Sequence, residues 1–141
     1  MTAQEIITLL DLNPHPEGGY YRQTWEAEDA PRPSGTCIYF LLEAGKPSHW
    51  HRVDAAEIWH YYSGAPLLLH MSETDIGPKS TMRLGPDLSA GERPQGIVPT
   101  HWWQAAETTG DFTLVGCTVS PGFRFDGFEL AAPEFNIRDA P

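Results

Sequence analysis

The stretch Ser48-His-Trp-His-Arg-Val-Asp-Ala-Ala-Glu-Ile-Trp-His-Tyr-Tyr-Ser-Gly64 carries three of the chain's six histidines, one glutamate and four aromatic residues. Alternate residues of a strand share a face. His49, His51 and Val53 therefore line one side of a strand, with Trp50 and Arg52 on the other. A turn follows near Asp54-Ala55-Ala56. Beyond it Glu57, Trp59 and Tyr61 share a face, and Ile58, His60 and Tyr62 take the opposite one. Folded as a hairpin with the first sets inward, the stretch becomes a pocket wall of imidazoles, a carboxylate and two aromatic rings.

The flanking sequence has the same strand character. Apolar runs at Thr36–Glu43, Ala56–Ser63, Pro66–Ser72, Ser80–Leu84, Gly96–Pro99, Phe112–Val119 and Phe128–Leu130 read as strands. Turn clusters such as Gly45-Lys46-Pro47, Ile76-Gly77-Pro78, Gly85-Pro86-Asp87 and Pro121-Gly122 separate them. An aromatic run from Tyr20 to Trp25 follows the turn His15-Pro-Glu-Gly-Gly19, and Glu28 to Gly35 is a polar loop. One helix is expected over residues 2–12: Thr2 and Glu5 form a capping box, Ile6, Leu9 and Leu10 make one apolar stripe, and Asn13-Pro14 stops it. Short strands at this spacing predict an all-β fold, a small antiparallel β-barrel or jelly roll with one N-terminal helix. No repeat or linker divides the chain, so residues 1–141 read as one domain, with its barrel over about 19–132.

Composition narrows the function. Nine Lys and Arg face nineteen Asp and Glu, a formal charge of −10. A field of that sign repels phosphate backbones, which argues against a nucleic-acid partner. No apolar run is long enough to cross a bilayer and the N-terminus has no signal pattern, so no membrane association and a cytoplasmic location are expected. Cys37 and Cys117 sit in apolar strands and read as reduced, buried side chains, with a disulfide or a metal thiolate as the alternatives.

The same stretch resembles the first motif of the cupin superfamily: Gly, five residues, His-x-His, three or four residues, Glu, six residues, Gly. Gly45, His51, Glu57 and Gly64 satisfy the spacing, but Val53 occupies the second histidine position and His49 precedes the motif. The second cupin motif resembles Val98-Pro-Thr-His-Trp-Trp-Gln-Ala-Ala106. There His101 stands where glycine is expected and Gln104 where the last histidine is expected. With "PHPEGGYYR", from Pro14 to Arg22, and "TLVGCTVSPGFRFDGFEL", from Thr113 to Leu130, the chain looks like the Cupin_5 group. The resemblance implies a double-stranded β-helix of the RmlC-like kind, a central cavity and a homodimer. It also implies fold kinship with metal-free deoxysugar-nucleotide epimerases.

A pocket around His51, Glu57 and Gln104 for a small organic ligand is the leading functional reading, with His51 and Glu57 as its candidate catalytic residues. A carboxylate at an inward position is costly to bury alone, and His51 is its expected partner. Trp59, Tyr61, Trp102, Arg22 and Tyr21 are the other candidate ligand contacts. An alternative is a metal-independent epimerase or isomerase acting on a carbohydrate or nucleotide-sugar, with Tyr20, Tyr21 or Tyr61 as the acid. A further alternative is a metal-dependent oxygenase or isomerase whose divalent ion would be held by His49, His51 and Glu57; an ion and no ion both stay open. In "HPEGGYYR", His15 reads as a turn residue, while the resemblance places Glu17 and Arg22 beside the pocket. His60 and His70 belong on the outer face. Five tryptophans and the outward Ile58 and Tyr62 exceed what one small barrel can bury, which also predicts a homodimer.

Overall fold

The structure is a computed structural model describing residues 1–29 and 31–139. Ala30, in the polar loop, and Ala140 and Pro141, at the end of the single-domain range, lie outside the described residues.

Helix α1 runs over Ala3–Leu10 with Thr2 as its N-cap, and the capping box forms as the sequence predicts. It ends earlier than the proline requires, because Asp11 turns left-handed at φ 56° and closes the last carbonyls. Eleven strands follow: β1 (Asn13–Pro14), β2 (Tyr20–Glu26), β3 (Thr36–Glu43), β4 (Ser48–Val53), β5 (Ala56–Gly64), β6 (Leu67–Ser72), β7 (Ser80–Leu84), β8 (Gln95–Val98), β9 (Trp103–Thr108), β10 (Phe112–Ser120) and β11 (Phe128–Leu130). β9 has no counterpart among the expected strands. Its interior residues Trp103, Gln104, Ala105 and Ala106 are all buried, so it lacks the alternation that marks a one-sided strand.

The strands form two antiparallel sheets, ordered β1-β2-β3-β10-β5-β8 and β11-β4-β9-β6-β7. Their inner faces meet as a jelly roll. One end of the interior is solid, filled by Leu42, Leu67, Leu69, Leu84 and Val115, each fully buried, against Trp59 and Phe40. Each such side chain contributes about 1.5–3 kcal/mol through removal from water. The other end, between β2, β3, β10 and β5 on one side and β4 on the other, keeps a cavity.

Two outer surfaces are covered by the chain itself. α1 lies on the six-stranded sheet, where Ile6 and Leu12 pack on Leu41. The segment 131–139 crosses the five-stranded sheet, burying Ile137 beside Trp50 and Trp103. Trp50 donates its indole N–H to Asn136 Oδ1 at 3.2 Å, and Phe135 stacks on Trp103 at 4.9 Å. Part of the tryptophan surplus is thus absorbed within the chain. Among the described residues no helix is long and apolar enough to cross a membrane.

Candidate functional site

The cavity is shaped by an irregularity in β4. Between Ser48↔Ala106 and His51↔Gln104, β4 advances three residues while β9 advances two. This bulge breaks the expected alternation. Ser48 and His51 both turn inward, each 1% exposed. His49 turns out instead, and its Nε2 contacts the Ala132 carbonyl at 2.8 Å.

His51 reaches into the cavity with both ring nitrogens engaged. Nδ1 lies 2.8 Å from the His49 carbonyl, which can only accept, so Nδ1 carries a proton. Nε2 lies 3.1 Å from Glu17 Oε2, and Ser48 Oγ donates to Glu17 Oε1 at 2.9 Å. The sequence paired His51 with Glu57; in the structure the carboxyl on His51 is that of Glu17. His15 completes this wall, with Nδ1 accepting the Glu17 backbone N–H at 3.2 Å and its ring edge-on to Tyr21 at 4.5 Å.

Glu57 enters from β5 and has different partners. Trp59 donates its indole N–H to Gln104 Oε1 at 2.8 Å. That fixes the amide, because an indole nitrogen can only donate. Gln104 Nε2 then donates to Glu57 Oε1 at 3.0 Å. The Cys117 thiol, on β10, lies beside the same carboxyl. Trp59, Gln104 and Glu57 thus form one chain of hydrogen bonds leading from the solid core to the cavity.

Burial dominates the electrostatics. It lowers His51 and His15 to about 4, so both rings are neutral at neutral pH. It raises Glu57 to about 7, against which the Gln104 hydrogen bond works in the opposite direction. Glu17 is pushed well above the usual carboxyl range by burial and then by the charge of Glu57. The Cys117 thiol is held protonated in the same way.

The empty space of the cavity and the solvent at its open mouth together amount to about 540 Å³, of which the centre of a water molecule can reach about 50 Å³. Its polar wall is formed by His15, Glu17, His51, Glu57, Gln23 and Cys117. Its apolar wall is Tyr21, Phe40, Val53 and Val119, with Phe123 and Phe125 at the mouth. Arg32 anchors that mouth: its guanidinium forms two bonds to Asp54, at 2.7 and 3.0 Å, and Nε donates to the Gly122 carbonyl at 2.8 Å.

Of the residues singled out from sequence, His51, Glu57 and Tyr21 line the cavity, and Gln104 supports it through Glu57. The others lie elsewhere. Trp59 is fully buried in the core, edge-on to Phe40. Tyr61 donates its hydroxyl to the Gly64 carbonyl at 2.7 Å, and Trp102 packs against the core from outside the cavity wall. Arg22 alternates outward from Tyr21 and Gln23 and sits over Asp11, at 3.6 Å. His15 lines the cavity although its sequence reads as a turn. His60 and His70 bond Thr118 and Thr81 on the outer faces, and both cysteines are free.

The proposed metal donors do not converge. His49 faces the C-terminal segment, and among the described residues no group of three or more His, Cys, Asp or Glu side chains is arranged to hold an ion. The donor set does not fit a divalent cation.

A family model described as the cupin superfamily, DUF985, matches residues 4–131. The chain belongs to the Cupin_5 family. At the motif positions Gly45 and Gly64 adopt φ of 74° and 90°, and His101, where the motif resemblance expects glycine, adopts 69°. Among solved structures, a protein of Shewanella oneidensis is 43% identical with a TM-score of 0.88, covering 94% of this chain and 85% of its own. A hypothetical protein from Leishmania major is 31% identical with a TM-score of 0.86, over 94% of this chain and 88% of its own. Oxalate decarboxylase from Bacillus subtilis is only 14% identical, with a TM-score of 0.66 over 84% of this chain and 29% of its own, and shares the double-stranded β-helix fold. No functionally curated protein matches the chain.

Proposed function

We propose that this Cupin_5 protein binds a small organic molecule in the cavity beside His51 and Glu57, and that the cavity is equipped for metal-independent proton transfer. One observation carries the reading: two carboxyl groups and an imidazole, all nearly inaccessible to water, face one apolar-walled cavity. Burying such groups is unfavourable unless they are paired or used. A pocket with apolar walls and few converging polar groups is the usual form of a small-ligand site.

A second reading, an epimerase or isomerase, is supported by the placement of the two bases. His51 comes from β4 in one sheet and Glu57 from β5 in the other, so they approach a ligand from opposite walls. Glu57, near 7, can take a proton from one face of a carbon acid while the His51–Glu17 pair returns one to the other. Among the described residues the cavity wall carries no lysine or arginine, which favours an unphosphorylated substrate over a nucleotide-sugar.

This reading includes a homodimer formed through the outer face of the six-stranded sheet. Ile97 and Tyr62 are 59% and 48% exposed there. A cytoplasmic location suits the two free cysteines.

The test is a ligand screen of small sugars, alcohols, acids and amines by protein-observed NMR. Shifts confined to the cavity-lining residues, lost in Glu57→Gln, are expected. Hits that shift only residues outside the cavity would overturn the reading. Exchange of a ligand C–H for deuterium from the solvent would select the isomerase.

A further inference from the structure

One carboxyl of the cavity wall has no charged partner. His51 and Glu17 share one proton between Nε2 and Oε2, so this pair is neutral overall in either arrangement. His15 has Nδ1 committed as an acceptor, which in the neutral ring puts its proton on Nε2. Glu57 remains. Its Oε1 is held by the Gln104 amide, a neutral donor that orients the carboxyl without offsetting a charge. Its other neighbour is the Cys117 thiol, a weak and equally neutral donor, and among the described residues no nitrogen or hydroxyl donates to Oε2.

A group of rings shares the cavity with this carboxyl. Tyr21, Phe40, Phe123 and Phe125 all line the cavity. Phe123 meets Phe125 edge-on at 4.9 Å, and His15 meets Phe40 edge-on at 5.8 Å. Aromatic faces are negative and attract a cation set over them, more strongly once water is excluded. The protein's overall charge of −10 also draws cations toward the surface and repels anions.

Resting on the small-molecule reading above, we propose that the cavity selects a small organic cation, an ammonium group seated at the Glu57 carboxyl with its carbon substituents against Tyr21, Phe40, Phe123 and Phe125. A carboxylate ligand would place a second negative charge beside Glu57, where among the described residues the cavity wall holds no lysine or arginine to meet it. A neutral alcohol would satisfy the hydrogen bond and leave the charge unpaired. The Gln104 and Trp59 chain becomes the device that aims the carboxyl.

The test compares four probes of similar size, n-butylammonium, tetramethylammonium, n-butanol and butyrate, by calorimetric and NMR titration of the full chain. Both cations bind, one molecule per chain, at least about tenfold more tightly than the alcohol or the acid. Glu57→Gln removes that preference. Because a buried variant can misfold, Phe125→Leu is read beside it. Phe125 is 54% exposed at the mouth, so its replacement leaves the core intact. It weakens tetramethylammonium several-fold and changes butanol by less than about twofold. Butanol or butyrate binding as tightly as the cations overturns the cation class and leaves the small-molecule reading standing. Failure of both cations to bind also overturns it, and the broader screen then decides separately whether any ligand uses the cavity.

Discussion

His51 Nε2 lies 3.1 Å from Glu17 Oε2 while His51 Nδ1 lies 2.8 Å from the carbonyl of His49. Thirty-four positions separate the two side chains in sequence, and one proton serves both. Since Nδ1 must donate, a neutral ring makes Nε2 an acceptor and Glu17 the donor. A glutamine can reproduce that arrangement, giving an N–H to Nε2 and accepting from Ser48. Glu17→Gln should therefore stay within about 1 kcal/mol of the parent, whereas Glu17→Ala should cost about 1–3 kcal/mol by leaving a buried acceptor unmade. Urea denaturation of both variants measures this. Equal damage from the two would show that charge on Glu17, not its hydrogen bond, holds the site.

Glu57 predicts the sign of a pH effect. Its value is raised from 4.5 to about 7 in the fold, so between those limits the unfolded chain has already lost a proton that the folded chain keeps. Its contribution to stability is fully present below 4.5 and is lost as pH rises through about 7. Glu57→Gln cannot ionise. The stability of the parent relative to this variant should fall between about pH 5 and pH 8, by on the order of 1–3 kcal/mol. His51 and His15 act oppositely: lowered from 6.5 to about 4, they contribute above 6.5 and lose that contribution as pH falls toward 4. Paired denaturation curves across this range isolate the Glu57 share. A difference that rises with pH would refute the assignment.

Much of the fold was legible because the strands obey period two. Thr36–Glu43, Ser80–Leu84 and Phe128–Leu130 are found with the bounds the sequence predicts. The site was legible where alternation holds: Glu57 faces inward as period two predicts, and Tyr21, a candidate ligand contact, lines the same cavity. It failed at the β4 bulge, which no residue type announces and which sends His49 out. It failed again at Tyr61, where β5 carries an extra residue opposite Leu114 and Val115. His15 was hidden differently, and Glu17 was placed beside the pocket by the family resemblance alone. They lie in a turn, outside any periodic pattern, and only the fold brings them under His51. The available signal was compositional: an ionisable pair fixed between a proline and two glycines.

The Arg32–Asp54 fork is the anchor of the cavity mouth. Asp54 also donates its backbone N–H to the Gly127 carbonyl at 3.1 Å, so both ends of the loop carrying Phe123 and Phe125 depend on this pair. Because the pair is partly exposed, Arg32→Ala should cost less than about 1 kcal/mol of global stability. Its effect is local: amide exchange at Phe123 and Gly127 should accelerate several-fold, and ligand dissociation with it. Arg32→Lys should not restore protection, since an ammonium cannot make the two-pronged contact. Unchanged exchange in Arg32→Ala would remove the fork from any role at the mouth.

Ile97 tests the dimer. It projects from β8 on the outer face of the six-stranded sheet, opposite Ile58 in the register, with Tyr62 further along β5. A charge at the centre of an apolar contact is strongly unfavourable, while on an open surface it costs little. Ile97→Glu should convert a dimer to a monomer in light scattering and leave monomer folding intact. A parent that is itself monomeric at micromolar concentration would end the dimer proposal.

His101 holds the backbone at φ 69° where the family motif expects glycine, and its N–H bonds the Val53 carbonyl at 2.9 Å. A side chain in the left-handed region costs about 1–2 kcal/mol, of which glycine's greater freedom when unfolded takes back about 0.5–1. The ring is exposed, so its removal sacrifices little packing. His101→Gly should raise stability by up to about 1 kcal/mol. The turn sets the start of β9, and with it the position of Gln104, so ligand affinity should be unchanged if glycine keeps the same conformation. Thermal and urea unfolding give the first quantity and a titration the second. A destabilised His101→Gly would mean that the imidazole supports the turn through its proximity to Asp54, and the histidine would then be a functional substitution for the motif glycine, not a tolerated one.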